Sequence, residues 1–245
     1  MSHVLLDISD NIMTITLSRF KQKNALSIQM YADLVDALNS YETDESLLVC
    51  VIQGDNSCFC AGNDLKDFLN SGELNDEHPT VQFINRIATC NKPIVAAVAG
   101  PAVGIGATML LHFDYVVAAD NSRFQLPFAK LGLCPEAASS NILPKMAGRR
   151  VAFELLVLGE SFDGDKAQSI GIVNAVCAPE QLLPQARAKA LAIASLPREA
   201  VLKSKSLIQA AEIKNVQEVI KLELDYFQQL LKTDESQARI GQFFQ

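Results

Sequence analysis

Short apolar runs alternate with polar turns over residues 1–147, and this pattern is typical of a mixed α/β protein. The predicted strands cover residues 4–9, 12–17, 47–53, 93–98 and 115–119. The first two flank Asp10-Asn11 and predict a β-hairpin. The predicted helices cover residues 27–38, where Ser27 is the cap, and 81–90, with shorter helices beginning near Asp64 and within 99–108.

Helices dominate from Gly148 onward, where the composition changes. The predicted helices cover residues 151–158, 165–169, 180–195, 198–211, 216–231 and 235–243, and a short strand is predicted over 172–176. No low-complexity linker separates the two parts of the chain. The sequence therefore predicts a single domain over residues 1–245, with a mixed α/β core over 1–147 and a mainly helical extension over 148–245.

Composition limits the classes of function. The formal net charge of −7 and the pI near 5.0 argue against nucleic-acid binding, although lysines and backbone amides can still hold an anionic ligand locally. The six cysteines are scattered and the three histidines form no metal motif, so we expect reduced thiols and no metal site.

Membrane and targeting segments are not expected. Residues 94–111 are uncharged, but Pro101 and neighbouring glycines interrupt them, so two short buried elements are predicted rather than a membrane span. The acidic N-terminal stretch has no signal-peptide pattern, and the last residues, Gln242-Phe243-Phe244-Gln245, are not a peroxisomal tripeptide. We therefore expect a cytoplasmic protein.

Two strand-to-helix turns are candidate binding elements. In the first, Phe59-Cys60-Ala61-Gly62-Asn63-Asp64-Leu65, Gly62 can adopt backbone angles closed to other residues, and Asp64 can cap the following helix. Such a turn leaves N–H groups near Gly62 and Asn63 free to bind negative charge. The second turn, Ala99-Gly100-Pro101-Ala102-Val103-Gly104-Ile105-Gly106-Ala107-Thr108, also joins a strand to a helix. An ordinary capped turn explains either motif alone, but explains the pair poorly.

These turns, with Asn24-Ala25-Leu26 and Leu131-Gly132-Leu133-Cys134-Pro135-Glu136, resemble the enoyl-CoA hydratase/isomerase (crotonase) superfamily over nearly the whole chain. The resemblance implies an α/β fold, a crotonase-like spiral of ββα units whose helical C-terminal part packs subunits into homotrimers, often paired into hexamers. Five apolar residues agree with a partner surface, although an intramolecular core face explains them as well. They are Leu222, Leu224, Phe227, Leu230 and Leu231.

The resemblance implies chemistry on an acyl-CoA thioester, with the backbone amides of Asn63 and Ile105 binding the enolate oxygen. The adenine and pantetheine portion of the substrate is expected to bind to the backbone of Ala61, Gly62, Asn63, Asp64 and Leu65. Lys21, Lys23 and Lys66 could meet the CoA phosphates, and solvated surface lysines are an equal alternative. No cofactor besides the CoA thioester substrate is implied.

The base distinguishes the possible reactions. Hydratases of this superfamily use two glutamates, and this chain places Thr108 and Phe128 at the matching positions, so hydratase activity is not expected. The superfamily's Δ3,Δ2-enoyl-CoA isomerases use a single glutamate at the position of Glu136. One carboxylate can remove a proton from C2 and return it to C4, and an apolar wall that includes Phe128 and Leu133 would raise its pKa.

Three functions remain open from the sequence. The first is isomerisation of 3-enoyl-CoA to trans-2-enoyl-CoA, as in fatty acid β-oxidation. The second is another acyl-CoA reaction, such as ring isomerisation or hydrolysis in an aromatic pathway, and the third is non-catalytic acyl-CoA binding. If Glu136 only favours a helix dipole, the base would be Asp64 or an acid of the loop that contains Glu73, Asp76 and Glu77.

Overall fold

The computed structural model describes residues 2–70 and 72–242. Its strands are β1 (Val4–Ser9), β2 (Ile12–Leu17), β3 (Val49–Gln53), β4 (Ile94–Val98), β5 (Pro101–Val103), β6 (Tyr115–Ala119), β7 (Arg123–Gln125), β8 (Phe162–Asp163) and β9 (Ala175–Cys177). The main sheet has the order β1-β2-β3-β4-β6-β9, and a smaller sheet has the order β5-β7-β8. Strands β1 and β2 form the predicted antiparallel hairpin, and the other neighbours in the main sheet are parallel.

Both predicted helix caps are confirmed. The helices are α1 (Ile28–Thr43), α2 (Leu65–Leu69), α3 (Pro79–Thr89), α4 (Ile105–Thr108), α5 (Ser139–Ala147), α6 (Arg149–Phe153), α7 (Gly164–Ser169), α8 (Pro179–Ala194), α9 (Arg198–Ala210), α10 (Ile213–Leu231) and α11 (Asp234–Gly241). The Met30 amide donates to the Ser27 hydroxyl at 3.2 Å, and the Asp67 amide donates to the Asp64 carboxylate at 3.3 Å. These bonds satisfy N–H groups that have no partner inside the first helical turn.

Helices cover both faces of the main sheet, which explains why its central strands are almost continuously apolar. Alternate residues of a strand point to opposite faces. Cys50 and Ile52 of β3 therefore join one core with α1 and α3, whereas Val49 and Val51 join a second core with α8. Because β3 and β4 are parallel neighbours, the turns that follow them emerge at the same edge of the sheet.

The smaller sheet is missing from the sequence prediction. Strand β5 lies inside the stretch predicted as a glycine-rich turn, and it forms because its three residues pair with β7. The strand predicted over 172–176 is displaced to β9, since Ile172 and Val173 are buried without pairing. The helix predicted over 151–158 is α6 followed by a π-helical turn over Glu154–Leu158. The extension also supplies β8 and β9, so it is less purely helical than predicted.

The predicted partner surface on α10 is largely an internal face. Leu224 and Phe227 are buried, and Leu230 and Leu231 pack against the core, whereas Leu222 is 52% exposed. The intramolecular explanation therefore holds for most of the five residues. The predicted final helix ends at Gly241, and Phe243 lies outside the described residues. Within the described part of the chain, every helix is too short or too polar to span a lipid bilayer.

Candidate active site

The two glycine-containing turns lie side by side, as the parallel strands require. The Cys60 amide donates to the Pro101 carbonyl at 3.0 Å, and the Val103 amide donates to the Cys60 carbonyl at 3.0 Å. Gly62 has φ +96°, and a Cβ atom there would come within 2.9 Å of the Val103 carbonyl oxygen. The prediction that this position needs glycine is therefore confirmed.

Leu26 forms backbone hydrogen bonds on both sides of Asn63 in the first turn. The Leu26 amide donates to the Gly62 carbonyl at 2.8 Å, and the Asp64 amide donates to the Leu26 carbonyl at 2.9 Å. Between these bonds, the Asn63 amide donates to no acceptor within 2–70 and 72–242, and neither does the Ile105 amide at the start of α4. The structure thus has two unpaired backbone donors at the positions predicted for the oxyanion.

A cavity of about 160 Å³ lies against these two amides. Its lining is mainly apolar and comes from both turns, from α2 and from the C-terminal helices. The lining residues are Ala61, Gly62, Asn63, Leu65, Phe68, Leu69, Val103, Gly104, Ile105, Pro127, Phe128, Leu131, Leu133, Phe227, Leu231 and Ile240. Phe128 and Leu133, which were predicted to form an apolar wall, are among these lining residues.

Glu136 is buried, with only 5% of the residue exposed, and its link to the cavity runs through α4, whose first residue, Ile105, is a lining residue. The Thr108 hydroxyl, at the end of α4, donates a hydrogen bond to Glu136 Oε1. Burial raises the pKa of Glu136 to about 8, the bond from Thr108 opposes the rise, and the Glu223 carboxylate adds to it. A carboxyl group with such a pKa can both accept and return a proton near neutral pH. From the sequence, Thr108 was notable only because hydratases have a glutamate at that position. In the structure, Thr108 is the hydrogen-bond partner of Glu136.

Glu223, on α10, is a site residue that the sequence analysis missed. Its carboxylate accepts hydrogen bonds from the amides of Ala138 at 2.6 Å and Ser140 at 3.0 Å. These amides belong to the turn after Glu136, in which Ala137 and Ala138 both have φ +55°. Because Glu223 lies 85 residues after Ala138, local sequence pattern carries no signal for this contact.

Tyr31 is a second residue that was missed. Its hydroxyl donates a 2.6 Å hydrogen bond to Asn63 Oδ1, and the ring is fully buried on α1. Burial raises the pKa of Tyr31 well above its usual value, and electrostatic interactions with Glu136 and Cys60 add to the rise. The phenol is therefore neutral at physiological pH and serves as a donor to the residue that carries the free amide.

The lysines predicted to contact the CoA phosphates lie next to the first turn in the structure. Lys23 and Lys66 are exposed, and the Lys23 carbonyl accepts from the Ala61 amide at 3.0 Å. Asp64 is engaged twice, because it caps α2 and pairs with Arg19 at 2.7 Å. Although partial burial opposes it, the bond from Arg19 lowers the Asp64 pKa.

The alternative bases are less suited to proton transfer than Glu136. Asp64 is held by Arg19, and Glu73, Asp76 and Glu77 are exposed carboxylates, whereas Glu136 is buried and burial raises its pKa to about 8. Among residues 2–70 and 72–242, no group of three or more potential metal ligands occurs.

Comparisons with known proteins agree with this geometry. A sequence model of the family "Enoyl-CoA hydratase/isomerase" matches residues 7–244. The chain therefore belongs to the enoyl-CoA hydratase/isomerase (crotonase) family, an acyl-CoA enzyme family, as the sequence motifs predicted. A structure titled "Structure of Pseudomonas aeruginosa OdaA" superposes with a TM-score of 0.97 at 37% identity over 99% of each chain, which confirms the predicted fold class.

The relatives carry names for different reactions. Mouse "Enoyl-CoA delta isomerase 3, peroxisomal" is 39% identical over 71% of this chain and 56% of that protein, so the chain spans little more than half of its length. Escherichia coli "1,2-epoxyphenylacetyl-CoA isomerase" is 32% identical over 92% of this chain and 89% of that protein. Other relatives are named hydratases. Family membership therefore leaves the particular reaction open.

Proposed function

We propose that this protein is an enoyl-CoA isomerase that converts 3-enoyl-CoA to trans-2-enoyl-CoA. The observation that supports this most is the buried carboxyl group of Glu136, which bonds to Thr108 and has a pKa raised to about 8 by burial. Glutamates at the positions of Thr108 and Phe128 would suit water addition, and this chain has neither. A mouse relative named a delta isomerase agrees with the proposal.

In the proposed mechanism, Glu136 removes a proton from C2 of the substrate. The C–H bonding electrons form a C1–C2 double bond, and negative charge moves to the thioester oxygen. The amides of Asn63 and Ile105 bind that oxygen, and losing one such donor typically costs about 2.7–4 kcal/mol of transition-state stabilisation. Glu136 then returns the proton to C4, so the C3–C4 double bond becomes a C2–C3 double bond without water or a cofactor.

Substrate binding follows from the same turn. The backbone of Ala61–Leu65 would hold the pantetheine and adenine portions, with Lys23 and Lys66 near the phosphates. The apolar cavity would take the acyl chain. None of the described residues that line it is charged, which favours uncharged acyl groups.

An aromatic acyl-CoA is a second candidate substrate. Three cavity residues are phenylalanines, and Phe68 and Phe227 pack edge to face with centroids 6.0 Å apart, a surface that suits a phenyl ring. The Escherichia coli relative named an epoxyphenylacetyl-CoA isomerase matches nearly full-length, which favours the same candidate.

Product analysis with three substrates separates these functions. We expect 3-hexenoyl-CoA to give trans-2-hexenoyl-CoA, and 2-hexenoyl-CoA to give no 3-hydroxyhexanoyl-CoA. Turnover of 1,2-epoxyphenylacetyl-CoA alone would establish the second candidate. Hydration of 2-hexenoyl-CoA as the dominant reaction, or no turnover of any of the three, would overturn the proposal.

A further inference from the structure

The turn that carries Glu136 has an unfavourable backbone conformation. Ala137 and Ala138, the two residues after Glu136, both have φ +55°, a region that residues with a Cβ atom rarely occupy. Such a conformation persists only where surrounding contacts over-determine it, and it commonly occurs at functional sites.

Contacts from three directions hold this turn. The Ser139 hydroxyl donates to the Glu136 carbonyl at 2.7 Å, and His112 Nε2 lies 2.8 Å from the Ala137 carbonyl oxygen. The third contact is a pair of hydrogen bonds, in which the two carboxylate oxygens of Glu223 accept backbone N–H groups of the turn. Only this third contact comes from the C-terminal helices, and it fixes Ala138 and Ser140 on either side of the first residue of α5.

A carboxylate is expensive to bury, and Glu223 is only 5% exposed. Two charge-assisted hydrogen bonds offset part of that cost. Glu223 also places a negative charge near Glu136, which an uncharged amide side chain would not do. A residue that served only to pack α10 would need neither the two hydrogen bonds nor the negative charge.

We propose that Glu223 is the positioning residue of Glu136, holding the strained turn over residues 137–140 so that the Glu136 carboxyl group stays hydrogen-bonded to Thr108, on the helix that begins with the Ile105 amide. This role rests on the proposed function, in which Glu136 is the base. Glu223 acts through Glu136 and the backbone and is not itself assigned a contact with substrate.

Four other ionisable groups near Glu136 could affect the pH dependence of activity. They are Glu223 of α10, Tyr31 of α1, Cys134 of the same turn, and His112, which bonds to that turn. Burial raises the pKa of Tyr31 well above its usual value and that of Cys134 to about 11, and it lowers the pKa of His112 to about 4. Tyr31, Cys134 and His112 therefore keep their charge between pH 6 and 9, and the Glu136 pKa of about 8 lies in that range. Burial raises the pKa of Glu223 as well.

The test compares Glu223→Gln with Glu218→Gln, which removes an exposed carboxylate from the same helix. In Glu223→Gln, an amide N–H group faces one of the two backbone donors, so the turn loses an acceptor. We expect kcat/KM for 3-hexenoyl-CoA to fall on the order of 10²-fold, as for other small misplacements of a catalytic group. The dissociation constant of saturated hexanoyl-CoA should stay within about twofold, because the first turn is intact. Glu218→Gln should match the wild type in both.

Two further measurements separate positioning from general destabilisation. In a plot of kcat/KM against pH, loss of the Glu223 charge should move the rising limb to lower pH, because that charge raises the Glu136 pKa. In a Glu136→Gln background, Glu223→Gln should cause no further loss, because its effect passes through Glu136. Wild-type kcat/KM and an unshifted profile in folded Glu223→Gln would overturn the proposal, and so would an equal further loss in the double variant.

Infrared titration of the Glu136 carboxyl, assigned with Glu136→Gln, distinguishes failure of this inference from failure of the proposed function. A downward shift of that titration in Glu223→Gln, in a protein that does not isomerise 3-hexenoyl-CoA, would support positioning while rejecting the function. An unshifted titration would reject positioning.

If Glu223→Gln does not fold, Glu223→Asp tests the proposal instead. This variant keeps the charge, but its side chain is one methylene too short to reach both amides. Unchanged turnover in Glu223→Asp would overturn the proposal, and reduced turnover with unchanged hexanoyl-CoA affinity would support it.

Discussion

The hydroxyl of Thr108 can remain hydrogen-bonded to the Glu136 carboxyl group in either protonation state of that group. When Glu136 is ionised, Thr108 donates to Oε1. When Glu136 is protonated, it can donate to Thr108 Oγ1, and the Thr108 proton can turn to the Gly104 carbonyl oxygen, which lies 3.3 Å away. A base that must accept and then return one proton benefits from a partner that serves both states.

Replacing Thr108 by valine should reduce the fraction of Glu136 that is ionised, and so able to act as the base, at pH 7. Valine keeps the shape but leaves the buried carboxylate without its donor, so the Glu136 pKa should rise further. The rising limb of kcat/KM should move to higher pH, and turnover at pH 7 should fall roughly tenfold or more. Thr108→Ser retains the donor and should behave like the wild type. A valine variant with an unchanged pH profile would show that Thr108 has no influence on the base.

Folding stability should reveal the raised pKa of Glu136. The folded state binds the Glu136 proton more tightly than the unfolded state does, so this residue lowers stability as pH rises from about 4.5 through about 8. The cost approaches about 1.4 kcal/mol per unit of pKa difference. Glu136→Gln cannot ionise, so its melting temperature should exceed that of the wild type at pH 9 and should be close to it at pH 4.5. An equal difference at both pH values would contradict the assigned ionisation.

The hydrogen bond from Tyr31 to Asn63 should matter for turnover. Tyr31→Phe removes the donor and leaves Asn63 Oδ1 without its partner, so the residue that carries one oxyanion donor is held less firmly. We expect kcat to fall several-fold with little change in KM. Tyr41→Phe is the matched control, because its buried hydroxyl bonds to the carbonyls of Leu48 and Pro93. It should reduce stability without lowering kcat, and equal kcat losses in both variants would argue against a specific role for Tyr31.

Self-association is expected from the family resemblance. We predict that light scattering at micromolar protein concentration gives a mass of three or six subunits. Large apolar side chains on α9 support this prediction, since Leu207 and Ile208 are 77% and 79% exposed in the single chain. A monomeric mass under those conditions would contradict it.

Local sequence signals were sufficient for much of the fold and for the first turn of the site. The Asp10-Asn11 hairpin, the Ser27 cap and the Asp64 cap each depend on residues close together in the chain. Gly62 could be identified for the same reason, because its positive φ is a property of its own turn, although the close approach of the Val103 carbonyl could not be predicted.

Contacts between distant residues could not be predicted in this way. Strand β5 has three residues, too few for a visible period, and it exists because it pairs with β7. Tyr31 precedes Asn63 by 32 residues, and Glu223 lies on a helix whose sequence pattern shows only an apolar face. The apolar residues of α10 were ambiguous for a related reason, since the sequence cannot show which face of α10 the rest of the chain covers.

The central claim is that Glu136 transfers the proton between C2 and C4, and Glu136→Gln tests it most directly. Isomerisation of 3-hexenoyl-CoA and deuterium exchange at C2 are measured together, with Glu73→Gln as a control that removes an exposed carboxylate. We predict that both rates fall in parallel by about 10²–10⁴-fold in Glu136→Gln, with hexanoyl-CoA affinity nearly unchanged and Glu73→Gln equal to the wild type. Retained isomerisation in a folded Glu136→Gln protein would contradict the account.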